Sequence, residues 1–234
     1  MIEELLPQRV VVVEAHGDEG TDAPLFPEEE ALMTKAVAKR RREFTAVRAC
    51  ARRAMEKLGV PAQPVLPGER GAPGWPDGLT GSMTHCTGYC AAALLRAGDL
   101  ASVGIDAEVH GPLPDGVLDA IALSAEAERV GRLAAERPEV HWDRLLFSAK
   151  ESVYKAWFPL TGKWLDFSEA DIQLHADPAD PSDPEGPGGR AGGTFRAELL
   201  VPGPLVGGRR IGGFEGRWAA EGGLIATAIA VPGD

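Results

Sequence analysis

Ser102–Glu108 reads SVGIDAE, and its alternation decides what the fold has to hold in place. Successive side chains on a strand point to opposite faces, so Val103, Ile105 and Ala107 turn toward a core while Asp106 and Glu108 share the other face. The two carboxylates then stand about 6.5 Å apart along the strand. They repel each other unless a cation lies between them, and a hard divalent ion with oxygen ligands is the natural one. Two solvated carboxylates on an exposed strand satisfy the same pattern, so D-x-E alone decides nothing.

Downstream, Phe147–Ala156 reads FSAKESVYKA. On a helix Glu151 and Lys155 share a face, and Lys150 is turned about 100° away. This is either an ordinary i,i+4 ion pair or a third carboxylate with two ammonium groups placed for phosphates. Upstream, a helical pattern runs from Glu28 to Leu58, in one piece or in two broken near Ala38. Its apolar stripe is Met33, Val37, Phe44, Val47, Ala51, Met55 and Leu58, and Gly59 and Pro61 end it. Between Lys39 and Lys57 stand Lys39, Arg40, Arg41, Arg42, Arg48, Arg52, Arg53 and Lys57, against only Glu43 and Glu56. Arg40 and Arg48 lie four residues either side of Phe44, each within about 40° of it around the helix. They project from the apolar stripe, where an arginine needs an anion. Arg41, Arg42, Arg52 and Arg53 fall on the solvent side. A fourth segment, Gly81–Tyr89 (GSMTHCTGY), sets hydroxyls around His85, which either contacts a phosphate or satisfies a core hydrogen bond.

The rest of the chain reads as mixed helix and antiparallel strand. Strands are expected at Arg9–Glu14, Leu79–His85, Tyr89–Arg96, Asp171–His175, Thr194–Val201, Phe214–Ala220 and Leu224–Val231, with helices at Ser124–Glu136 and His141–Phe158. Pro61–Gly78 is a loop, and the low-complexity segment 176–193 is expected to be mobile. The fold class is therefore α+β. A helix and a small antiparallel sheet lie in residues 1–99 and again in 100–234, although no internal sequence repeat is visible.

Composition bounds the rest. The 234 residues carry 24 Lys+Arg against 35 Asp+Glu, a net charge of −11, so the mean field repels nucleic acid and anionic membranes. No apolar run is long enough to span a bilayer, and Met1–Leu6 lacks the basic start of a secretory signal. Cys50, Cys86 and Cys90 make no disulfide framework and point to a reducing compartment, the cytoplasm. Cys86 and Cys90 have no second Cys/His pair to complete a zinc site.

The four segments in this order resemble the Sfp/EntD-type 4′-phosphopantetheinyl transferases. That family's hallmark is a [V/I]-G-[I/V]-D-x-E strand, followed some forty residues later by [F/W]-x-x-K-E-[S/A]-x-x-K-[A/S]. Val103–Glu108 and Phe147–Ala156 supply both, and the KRRREFTAVRACAR and GWPDGLTGSMTHC stretches look like those of actinobacterial members. The resemblance covers residues 35 to 165. It implies two similar α+β halves related by a pseudo-two-fold axis, with the active site between them. It also implies transfer of the phosphopantetheine arm of coenzyme A to a serine of an acyl or peptidyl carrier protein, with release of 3′,5′-ADP. Such carriers serve fatty acid, polyketide and nonribosomal peptide synthesis.

By the same resemblance Asp106, Glu108 and Glu151 are ligands of Mg²⁺ or Mn²⁺. Arg40 and Arg48 hold the 3′-phosphate and nucleotide end, and Thr84 and His85 stand at the phosphate. Lys150 and Lys155 lie beside the pyrophosphate, with Asp106 also counted among the coenzyme A contacts. Glu151 acts as base toward the carrier serine, assisted by Lys155. Some relatives carry a lysine where this chain has Pro67, and Arg70 is expected to supply that charge. The partners are coenzyme A and a transiently bound carrier, the expected state is monomeric, and no nucleic acid or membrane is involved. Leu113, Val117, Leu118 and Ile121 form either an apolar patch for the carrier or plain core. Two rival readings use the same residues. One is another metal-dependent phosphotransferase or phosphodiesterase of nucleotides; the other is a non-catalytic homologue that binds coenzyme A or carriers.

Overall fold

The computed structural model describes residues 1–178 and 190–233. In chain order the elements are β1 (Val11–His16), α1 (Pro27–Leu32), α2 (Ala38–Lys57), β2 (Leu66–Pro67), β3 (Pro73–Gly74), β4 (Leu79–Cys86), β5 (Tyr89–Arg96) and β6 (Ser102–Val109). There follow α3 (Val117–Ile121), α4 (Ser124–Glu136), α5 (Trp142–Thr161), β7 (Ala170–Ala176), β8 (Ala191–Leu199), β9 (Leu205–Val206), β10 (Arg209–Arg210), β11 (Gly213–Glu221) and β12 (Leu224–Val231). Among the described residues no helix is long and apolar enough to cross a membrane.

Two antiparallel sheets carry the architecture. Residues before 99 form a three-stranded sheet ordered β1-β5-β4, and later residues form a five-stranded sheet ordered β6-β12-β11-β8-β7. In each sheet the first strand pairs with the last and the last with the one before it, so the chain traces the same plan twice. Each sheet is covered by a helix of 20 residues, α2 on the first and α5 on the second. The fold is α+β, as the sequence predicts.

The helical stretch is two helices, with Met33 and Val37 in the turn between them rather than on the stripe. Gly59, at φ +71°, ends α2 in a left-handed conformation that residues with a Cβ avoid. The loop from Pro61 to Gly78 contains the β2–β3 hairpin. The segment expected to be mobile lies outside the described residues at 179–189, whereas Ala176 and Ala191–Gly193 are strand residues.

A shared core joins the halves. Val103, Ile105 and Ala107 face inward as the alternation predicts, and pack with Val12, Ala91, Ala93 and Leu95 of the first sheet and Ala226 and Ala228 of β12. Beside it, the edge strands β4 and β6 meet through side chains. The Ile105 amide donates to Ser82 Oγ (3.1 Å) and the Ala107 amide to Thr84 Oγ1 (3.0 Å). Hydroxyls thus satisfy an edge that would otherwise leave buried N–H groups unpaired.

The opposite face of β6 lies under α5. A Cβ on Gly104 would overlap the Ser152 carbonyl oxygen, so glycine is what lets the helix come this close. Ser102 Oγ donates to the Ala156 carbonyl at 2.8 Å on the same face. The even-numbered residues of β6 therefore lie against α5, which brings Asp106 and Glu108 to Glu151 and Lys155.

Both halves also contain a buried glutamate in the first turn of a short helix. Glu29 of α1 accepts from the Phe26 amide (3.1 Å) and the Val65 amide (2.9 Å), and pairs with Arg52 at 2.9 Å. Glu126 of α4 accepts from the Leu123 and Ile172 amides (both 2.7 Å) and pairs with Lys150 at 2.9 Å. Each carboxylate ties its helix start, a distant backbone amide and a cation of the following long helix into one knot.

Candidate active site

A cleft of about 680 Å³ opens between the two halves. Arg40, Phe44, Val47 and Arg48 of α2, Met83 and His85 of β4, and Arg70 of the β2–β3 hairpin line one wall. Glu151, Tyr154, Lys155 and Phe158 of α5 line the other. One end is basic and the remainder apolar and aromatic, with Trp75 fixed by its indole N–H to the Gly81 carbonyl at 2.9 Å.

Arg40 is exposed, and its guanidinium lies 3.2 Å from His85 Nε2, whose other neighbour is the Glu43 carboxylate at 3.8 Å. Burial and the Arg40 charge hold the His85 imidazole below its ordinary range, so it accepts from Arg40 in its neutral form. Arg48 is buried across the face of Phe44 and donates from Nε to the Val65 carbonyl at 2.9 Å. Burial lowers its pKa to about 10, opposed by the Glu29 carboxylate 3.7 Å away. The anion that a stripe arginine needs is thus partly supplied from within the chain. Arg52, expected on the solvent side, is buried as well because Glu29 pairs with it; that expectation is corrected. Arg70 has φ +53°, rare for a residue with a side chain, and its guanidinium stands 5.8 Å from the centre of the Trp164 ring.

At the floor, Lys155 Nζ donates to Asp106 Oδ1 at 2.7 Å. Thr84 Oγ1 donates to the same oxygen at 3.3 Å while accepting from Ala107. The Thr84 hydroxyl is therefore engaged on the β6 side, and its placement at a phosphate is corrected: the strand's alternation sends His85 to the cleft and Thr84 to Asp106. Asp106 Oδ2 is buried and has no hydrogen-bond partner among the described residues. Glu108 Oε2 accepts from Arg144 Nη1 at 3.1 Å. Burial and the charge of Asp106 raise Glu108, with Arg144 opposing. Glu151 is raised by burial, with the Lys155 charge opposing and the Asp106 charge adding to the rise.

These groups fit a divalent cation as oxygen donors, and the unpartnered Asp106 Oδ2 is the observation that favours one. Among the described residues no three His, Cys, Asp or Glu side chains stand close enough to hold an ion unaided. The protein's oxygens would have to be joined by oxygens of a substrate, which suits Mg²⁺ and its use of substrate phosphates.

Lys150 does not reach the cleft, which corrects the expectation that placed it beside a pyrophosphate. It is buried on another face of α5, paired with Glu126 and donating to the carbonyls of Phe167 (2.7 Å) and Ala170 (2.9 Å). Burial pushes its ammonium below the usual lysine range, and Glu126 opposes that. Of the apolar segment after β6, Ile121 is buried and Leu118 packs on the C-terminal core, while Leu113 and Val117 are half-buried. Sequence reasoning missed Glu29, Glu126 and Arg144. The two glutamates stand three residues after the residue that precedes their helix, a spacing that signals a helix start. Arg144 had only its two-turn offset from Glu151 to mark it.

Residues 28–95 match the family described as the 4′-phosphopantetheinyl transferase N-terminal domain, and residues 102–187 match the 4′-phosphopantetheinyl transferase superfamily. Over 99% of its length the chain is 58% identical to the 4′-phosphopantetheinyl transferase Svp of Streptomyces mobaraensis, covering 89% of that protein. It is 44% identical to the 4′-phosphopantetheinyl transferase PptT of Mycobacterium tuberculosis, with 98% of this chain and 97% of that one aligned. With the 4′-phosphopantetheinyl transferase Npt of Nocardia iowensis the identity is 46%, over 98% and 99% of the two chains.

Proposed function

The chain belongs to the 4′-phosphopantetheinyl transferase family and is an enzyme of that kind, and from that premise we propose that it moves the phosphopantetheine arm of coenzyme A to a serine of an acyl or peptidyl carrier protein. The observation that carries this is the cleft, which sets Arg40, Arg48, Arg70 and His85 opposite Glu151 and Lys155. Coenzyme A joins a 3′-phosphorylated nucleotide to an apolar arm through a pyrophosphate, and the cleft has a basic end, an aromatic wall, and Glu151 with Lys155, the latter paired to Asp106 just behind it. Residues 1–99 supply the nucleotide end, residues 100–234 supply the acidic groups, and coenzyme A lies between them.

Asp106, Glu108 and Glu151 would hold Mg²⁺ or Mn²⁺, which when bound withdraws charge from the pyrophosphate oxygens. The rest is the work of the protein's own side chains. Arg40, Arg48 and His85 fix the nucleotide end, Arg70 covers the cleft from the hairpin tip, and Thr84 holds Asp106 in place. The serine oxygen bonds to the phosphorus that carries the arm, and the bond from that phosphorus to the nucleotide breaks, releasing 3′,5′-ADP. Glu151 takes the serine proton. Its raised affinity for protons makes it a better base than an ordinary carboxylate. A carboxylate has two oxygens, so Glu151 can face the ion with one and the serine with the other. The Lys155 ammonium group adds positive charge where the transition state is most negative. Catalysis of this type is positioning and charge stabilisation.

The enzyme works as a monomer in the cytoplasm on carriers it meets transiently; its three cysteines are free thiols, which suits that compartment. Calorimetry with coenzyme A tests the assignment of the basic end. Replacing Arg48 with alanine is expected to weaken binding about 10- to 100-fold, the worth of a charge-assisted hydrogen bond. Unchanged affinity would remove Arg48 from the nucleotide site.

A further inference from the structure

Arg144 stands in the first turn of α5, and among the described residues its side chain bonds to the end of β6 and to the stretch that leaves it. Nη1 donates to Glu108 Oε2 (3.1 Å), Nε to the Gly111 carbonyl (3.1 Å) and Nη2 to the Pro112 carbonyl (2.6 Å). The neighbouring Asp143 carboxylate accepts from the Leu113 amide at 2.8 Å. The guanidinium fork is thus fixed by two backbone carbonyls and offers its remaining edge to a single carboxylate oxygen. That rigidity is what an arginine provides and a lysine does not.

Position on the helix gives the pair its meaning. Arg144, Glu151 and Lys155 recur at helical spacing on the face of α5 that lies against β6. Arg144 pairs with Glu108, and Lys155 pairs with Asp106. Each β6 carboxylate therefore has one oxygen held by a cation of α5. For Asp106 the other oxygen is buried and unpartnered.

We propose that Arg144 is a positioning residue for the divalent ion: by holding Glu108 Oε2 it fixes the orientation of the carboxylate, and so where Oε1 points. This rests on the reading that Asp106, Glu108 and Glu151 hold the ion. Three carboxylates offset by two cations leave one negative charge, which a divalent ion turns to one positive charge facing a pyrophosphate. Without Arg144 the Glu108 side chain is free to swing away from Asp106, whose charge repels it. Groups that orient a metal ligand in this way typically contribute about 10- to 100-fold in metal affinity.

The test is Mn²⁺ binding to protein saturated with coenzyme A, followed by loss of the free-ion electron paramagnetic resonance signal, with coenzyme A alone as the blank. Arg144→Gln is expected to weaken Mn²⁺ binding at least about 10-fold, and Arg144→Lys to recover part of the loss. Asp143→Ala cuts the neighbouring tie to Leu113 without touching Glu108, and is expected to leave Mn²⁺ affinity unchanged. Circular dichroism confirms that each variant is folded, and the lysine variant carries the test if the glutamine variant is not. Unchanged affinity in Arg144→Gln would overturn the proposal. So would tighter binding, which would make Arg144 a competing charge rather than a guide. A wild-type protein that takes up no Mn²⁺ would instead overturn the underlying assignment of the carboxylates.

Discussion

Glu151 is the residue on which the proposed chemistry turns, because among the described residues it is the one carboxylate lining the cleft. Burial and Asp106 raise its proton affinity, and Lys155 limits the rise. Glu151→Gln keeps the shape and removes both the base and a ligand charge. The expected result is a loss of roughly two to four orders of magnitude in turnover, measured with saturating coenzyme A and carrier. A variant within a few-fold of wild type would take Glu151 out of the reaction. The neighbouring Lys150 has the opposite character: its ammonium is held by Glu126 in the interior, away from the cleft. Adjacent positions on a helix point about 100° apart, so one letter of sequence separates a site residue from a structural one.

At the scale of elements, burial of a charge is decided by a partner that local sequence does not reveal. Arg52 and Lys150 lie inside because Glu29 and Glu126 come in from other helices to meet them. Periodicity located α2, α4, α5 and most strands to within a few residues, and the alternation of β6 correctly separated its inward and α5-facing sides. It had no access to the edge-to-edge meeting of β4 with β6, where Ser82 and Thr84 take the place of a neighbouring strand. Glu126→Gln leaves Lys150 buried without its counter-charge. It is expected to cost about 3–5 kcal/mol in urea unfolding, whereas Glu126→Gln combined with Lys150→Met should recover part of that loss, because the glutamine oxygen still accepts from a backbone amide while no unpaired charge stays buried. Equal stability of the single variant and wild type would mean the pair contributes nothing.

The start of α5 adds a pH dependence. The His141 amide donates to His110 Nε2 at 3.2 Å, which requires that nitrogen to be unprotonated. Burial, and then the charge of His141, push His110 below its ordinary value of 6.5. A group with a lowered folded-state pKa binds more protons when unfolded, so its contribution to stability is complete above about 6.5 and declines as pH falls from there toward the folded value. Unfolding midpoints between pH 7.5 and 5 should therefore drop more steeply for wild type than for His110→Asn. Parallel curves would remove His110 from the account.

Across the whole molecule, the repeat that the sequence hides is plain in the topology. Two sheets share the first–last–penultimate order, each has a 20-residue helix, and each has a buried glutamate at a helix start. Strand order is a property of the backbone path that different side chains can satisfy, which is why it is shared with no visible sequence repeat. Besides the core of each half there is a third, shared core between the sheets. The chain carries a net charge of −11, while one end of the cleft is lined by Arg40, Arg48 and Arg70.

The central claim is that this cleft passes the arm of coenzyme A to a carrier serine, and intact mass spectrometry of the carrier tests it most directly. Incubated with this protein, coenzyme A and Mg²⁺, an apo acyl or peptidyl carrier protein is expected to gain the mass of one phosphopantetheine. The same carrier with its serine changed to alanine should gain nothing, and neither should the wild-type carrier when EDTA replaces Mg²⁺. A carrier left at its apo mass across representative acyl and peptidyl carriers, with coenzyme A bound but unconsumed, would contradict the account.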